Sequence, residues 1–83
     1  MTRAEVYAAI DSERDYQDRL GADRTAGQAH PVGSYLTMLR HYLREAEEAW
    51  TKTAGDAAAL ESIRKIAGIS VRCMEDHGTT LRK

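Results

Sequence analysis

From Val32 to Trp50 the chain carries apolar residues at Val32, Tyr35, Leu36, Leu39, Tyr42, Leu43, Ala46, Ala49 and Trp50, an unbroken i, i+3, i+4, i+7 pattern. An α-helix of 3.6 residues per turn gathers such positions onto one stripe, whereas a strand, with its period of two, scatters them over both faces. The spacing predicts a long helix from about Pro31 to Thr53, with Arg40, Arg44, Glu47 and Thr51 on its far side. Pro31 suits the first helical position, where its missing N–H costs nothing. A stripe of this kind has to be covered, and the flanking sequence supplies two further helices. Thr2 and Glu5 have the spacing of a capping box, and Val6, Ala9, Ile10 and Leu20 share one side. A shorter first helix is therefore expected from about Arg3 to Leu20, stopped by Gly21. Asp56 as N-cap and Gly78 beyond the last turn bound a third helix, from about Ala57 to His77. The expected fold is all-α: a three-helix antiparallel bundle-like protomer with one shorter N-terminal helix and two long ones. It forms a single domain over residues 1–83, with a loop over 21–30 and a short basic tail over 79–83.

The third helix is more apolar than one neighbour requires. Leu60, Ile63, Ile66, Ala67, Ile69, Val71, Cys73 and Met74 cover roughly 200° of its circumference at 100° per residue. Packing on a single helix uses a stripe of only about 100°. Either helices 1 and 2 cover the whole arc, or a second subunit covers the part formed by Ile66, Ile69 and Cys73. An 83-residue chain is marginal alone, and small domains add disulfides, a metal or a partner chain. Cys73 is the only cysteine, which rules out an internal disulfide and fits a reducing, cytoplasmic setting. His30, His41 and His77 are too scattered for a zinc site. Homo-oligomerisation is what remains. Twelve Lys and Arg against 13 Asp and Glu imply no general affinity for nucleic acid or membrane. No apolar run approaches the ~20 residues of a membrane span, and the segment from Met1 to Glu5 lacks the apolar core of a secretory signal.

Several polar residues stand where apolar ones belong. Glu13 and Gln17 lie near the middle of the apolar side of helix 1, one turn apart and flanked by Arg14. A carboxylate on a core-facing stripe costs several kcal/mol unless it is paired. Its compensation is either an Arg from another helix or a ligand in a polar pocket. On helix 2, His41, Glu45, Glu48 and Lys52 form a track beside the stripe, which is either a solvated face or one wall of such a pocket. On helix 3, Arg64, Lys65 and Arg72 cluster on the polar strip, with Glu61–Lys65 and Arg72–Asp76 at favourable i,i+4 spacing. Gly68 interrupts this helix at a cost of about 1 kcal/mol against Ala, and its bare backbone admits a close neighbour. Arg and Lys at such a cleft suit phosphate. The ten residues from Gly21 to His30 read either as a tether or as a loop that covers a ligand.

The motif order Glu13-Arg14-Asp15-Tyr16-Gln17, a glycine-containing loop ending in His30, Tyr35-Leu36-Thr37-Met38-Leu39 leading into an acidic helix, and Ile63-Arg64-Lys65-Ile66-Ala67-Gly68-Ile69 resembles the phage-encoded, MazG-like branch of the all-α nucleoside triphosphate pyrophosphohydrolases. The resemblance runs from about Ile10 to Glu75. Enzymes of that family hold Mg²⁺ with a Glu-Glu-x-x-Glu set on the second helix and a Glu-x-x-Asp set on the third. Here the first set reads His41-Tyr42-Leu43-Arg44-Glu45, which keeps only Glu45, and the second reads Glu61-Ser62-Ile63-Arg64, or Ser62-Ile63-Arg64-Lys65 one residue on, neither of which keeps both carboxylates. Magnesium wants oxygen ligands, so cations in their place imply direct neutralisation of phosphate without a metal.

The resemblance and its departures together imply a phage accessory protein that binds and sequesters a nucleotide-type ligand, a host immune signal, without hydrolysis. The site residues expected on this reading are Glu13, Arg14, Gln17, His30, Tyr35, His41, Tyr42, Glu45, Arg64, Lys65 and Arg72. The tyrosines, or Trp50, would stack a base. No residue is assigned a catalytic or metal-binding role. Two alternatives come from different classes. One is a Mg²⁺-dependent pyrophosphohydrolase using Glu13, Glu45, Glu48 and Glu61. The other is a helical protein-interaction module whose polar residues pair internally.

Overall fold

A computed structural model describes residues 1–21, 30–53 and 55–83 and shows three helices: α1 (Arg3–Leu20), α2 (Val32–Thr53) and α3 (Asp56–His77). The all-α, three-helix architecture is as expected, with α1 the shortest. The reading of the 21–30 loop as a ligand cover falls on residues outside the described ones. No helix among the described residues is long and apolar enough to cross a membrane.

The helix ends follow local chemistry. Thr2 accepts from the Glu5 amide at 3.1 Å while Glu5 accepts from the Thr2 amide at 3.0 Å, which completes the capping box. Gly78 adopts φ +89° and donates to the Met74 carbonyl at 2.7 Å. Two boundaries move by one residue. Pro31 precedes α2 rather than opening it, and its carbonyl accepts from the Ser34 and Tyr35 amides. Gly55 caps α3 and Asp56 is its first residue, because the Asp56 carboxylate is engaged by the Trp50 indole N–H at 3.1 Å instead of the helix amides.

α3 is the central element. α2 runs antiparallel to it: Tyr35 bonds to Asp76 at one end and Trp50 to Asp56 at the other. α1 runs parallel to α3, Glu13 meeting Arg64 and Arg14 meeting Glu75. No Cα of α1 comes within 8 Å of one in α2 among the described residues. Among the described residues the buried apolar ones are Tyr35, Ala46 and Ile69, a small core for two long amphipathic helices. The arc Ile66, Ile69, Cys73 is not the spare surface of α3. Ile69 is buried, and Ile66 and Cys73 are half-buried, because this arc lies on the side that α2 covers. The exposed apolar residues of α3 are Leu60, Ile63 and Met74.

Candidate functional site

The seam between α1 and α3 is polar at its centre. Glu13 and Arg14 are 5% and 7% exposed. Arg64 Nε donates to Glu13 Oε1 at 2.9 Å, and its Nη1 and Nη2 donate to Glu61 at 3.1 and 2.6 Å. Gln17 Nε2 donates to the second Glu13 oxygen at 3.4 Å. Arg14 forks onto Glu75 with two bonds of 2.9 Å and also reaches Gln17 and Asp18 on its own helix. Among the described residues no buried side-chain polar atom lacks a partner. Gly68 makes room for this network: a Cβ there would lie 2.7 Å from Gln17 Nε2 and 2.8 Å from Glu13 Cγ. The close neighbour that the glycine admits is thus α1 itself.

These bonds set the charge states. The Glu75 bond holds the Arg14 guanidinium more firmly protonated than usual, and Arg14 in turn pulls the Glu75 carboxyl below the ordinary range. Arg64 does the same to Glu61. Glu61 pairs with Arg64 rather than Lys65, and Asp76 accepts from the Tyr35 hydroxyl rather than meeting Arg72. The Mg²⁺ implied by the family resemblance does not fit these residues. Glu61 turns both oxygens and Glu13 one oxygen to Arg64, whose positive charge repels a second cation. No group of three His, Cys, Asp or Glu among the described residues is placed to hold a metal.

Beside the seam, α1 and α2 flank an open groove of about 240 Å³ floored by α3. α3 contributes Lys65, Ile69 and Arg72, α1 contributes Glu13, Tyr16, Gln17 and Leu20, and α2 contributes Met38 and Tyr42. An adjoining recess of about 330 Å³, bounded by Ser12, Glu13, Tyr16, Arg64 and Lys65, extends it along α1. Lys65 Nζ lies 5.9 Å from the centre of the Tyr42 ring, within cation–π range. Arg19 stands 6.0 Å over Tyr16. Neither Lys65 nor Arg72 has a carboxylate within ion-pair distance among the described residues.

The expected site residues therefore divide. Gln17, Tyr42, Lys65 and Arg72 line the groove, with Glu13 and Arg64 at its wall but committed to each other; Arg14 is committed to Glu75. Tyr35 does not line the groove. It is fully buried, its hydroxyl donates to Asp76, and burial pushes that phenol up. His30 belongs to the same end of the molecule, where its ring meets Tyr35 edge-on at 5.7 Å and its carbonyl accepts from His77 Nε2 at 2.7 Å. His41 and Glu45 pair with each other at 3.1 Å on the exposed flank of α2, outside the groove. Trp50 sits at the far end of α2, engaged with Asp56. The groove residues missing from the expected set are the apolar Leu20, Met38 and Ile69 and the aromatic Tyr16. The one sequence signal for Tyr16 is that it follows Glu13 by three residues on helix 1, so it flanks the same stripe. Comparison with protein-family models, with curated proteins and with solved structures found no match to this chain.

Proposed function

We propose that the protein binds a phosphate-bearing, ring-containing small molecule of the nucleotide class in the groove between α1 and α2 and holds it without chemical change. The observation that carries this reading is the pair Lys65 and Arg72, two cations with no carboxylate at ion-pair distance among the described residues, set beside Tyr16 and Tyr42 on an apolar floor at Ile69. Cations of this kind neutralise phosphate, Arg by a bidentate fork, and tyrosine rings stack bases whatever their identity. The groove and its adjoining recess have the size range of small-molecule sites, about 300–1,000 Å³. Retention without hydrolysis is supported by Glu13, the carboxylate that lines the groove, being paired with Arg64. A phage-encoded scavenger of a host nucleotide signal is the setting that the family resemblance supplies.

Isothermal titration with linear and cyclic nucleotides tests the reading. Binding of at least one class is expected, weakened tenfold or more by Lys65→Ala or Arg72→Ala, with the nucleotide recovered intact. Absence of heat with every member would overturn it. Release of pyrophosphate with Mg²⁺, lost in Glu45→Gln, would favour the hydrolase.

One observation favours the second reading, a protein-interaction module. Glu13, Arg14, Gln17 and Arg64 satisfy each other across the α1–α3 seam, as an internally paired scaffold requires.

A further inference from the structure

α1 and α2 flank α3 without meeting, and the two sides of this arrangement are unlike. One side holds the polar groove. Counting 100° per residue from the positions that meet neighbouring helices, the opposite side receives Leu36, Leu43 and Trp50 from α2 and Leu60, Ile63 and Met74 from α3. All six are between 42% and 60% exposed. On α2 the three recur every seven residues, which draws a straight seam along the helix. α1 adds Val6 and Ile10, which line an apolar groove of about 350 Å³ with Leu60 and Ile63.

We propose that a second copy of this chain covers this apolar side. The exposed area points to it. A compact monomer of 9.3 kDa exposes about 5,000 Å², and this chain exposes 6654 Å². The surplus of roughly 1,700 Å², counted over the whole chain, leaves room for the ~800 Å² per partner that a standard interface needs. The tail after Gly78 supplies part of the surplus; the six apolar side chains supply another part, one that water disfavours. The Cα radius of gyration tells the same story, 13.9 Å against about 12 Å for a compact chain of this length. Large apolar and aromatic residues at the centre are the composition of an interface core, and a net charge of −1 leaves little repulsion between identical copies. This inference is independent of the groove on the other side.

Sedimentation equilibrium and tryptophan emission of the full chain, followed together from about 0.1 to 100 μM, test it. Trp50 is the only tryptophan and lies on the proposed interface. The expected result is a mass at least twice 9.3 kDa at high concentration. Trp50 emission should move to the red on dilution, in step with the loss of mass. Ile63→Arg and Leu43→Arg should each weaken association at least tenfold, while Asp15→Arg on the exposed side of α1 should not. A helical 9.3 kDa monomer throughout would overturn the proposal and leave the face to a different protein. An oligomer whose Trp50 emission stays fully water-exposed would overturn it equally. Should the arginine variants fail to fold, the wild-type comparison of emission with mass decides alone.

Discussion

Glu13 is the buried half of its ion pair and Arg64 the half-exposed one, with side-chain exposures of 5% and 35%, so the two are not equivalent. Arg64→Met leaves a buried carboxylate with only the Gln17 amide beside it. That is the costly kind of orphan, and a loss of about 3 kcal/mol is expected. Glu13→Met leaves Arg64 on Glu61 near water, and the loss should stay below about 1 kcal/mol. Urea denaturation at one fixed protein concentration separates the two, and equal losses would contradict the account. Gly68→Ala raises helix propensity by about 1 kcal/mol but drives a Cβ into Glu13 Cγ at 2.8 Å. Gln17 can swing away; the buried Glu13 cannot. Overpacking costs about 1–3 kcal/mol, so a net loss on the order of 1 kcal/mol is expected. Glu75 adds a pH dependence. Its folded pKa lies below the unfolded value of about 4.3. Its contribution is therefore full above that value and is lost as pH falls through the folded pKa. Thermal scans of wild type and Glu75→Gln should diverge at neutral pH and converge in acid.

At the scale of the helices, Thr2→Ala removes one side of the capping box and should cost about 1 kcal/mol. The loss should appear as extra fraying at the start of α1 in amide exchange. The helices were legible because their signals are local. The Val32–Trp50 periodicity and the bounding glycines depend on residues within one or two turns. The cap of α3 was misplaced by one residue because Trp50, a side chain of another helix, engages Asp56. Partner choice was the harder problem. The stripe on α2 is wider than one neighbour needs, and nothing local says which part of it faces α3. Tyr35 and Ala46 turned inward, Leu36 and Leu43 outward. For the same reason Tyr35 read as a stacking residue and is instead the best-buried side chain of the core. The polar anomaly at Glu13 was legible. Its compensation by an Arg from another helix is one of two alternatives that spacing alone does not separate, and nothing local singles out Arg64.

For the molecule as a whole, a second copy seated on the exposed apolar side would couple folding to association. Thermal midpoints should rise with protein concentration, since a partner that binds only the folded state stabilises it by mass action. Among the described residues the two long helices share the buried apolar side chains, whereas α1 approaches α3 and not α2, across a seam that is polar at its centre. Its hold on the rest of the chain is therefore electrostatic at the centre and weakens with salt and acid before the α2–α3 hairpin does. Because α1 forms one wall of the groove, an anion that bridges α1 to Lys65 and Arg72 would also hold that helix in place when salt or acid loosens its ion pairs.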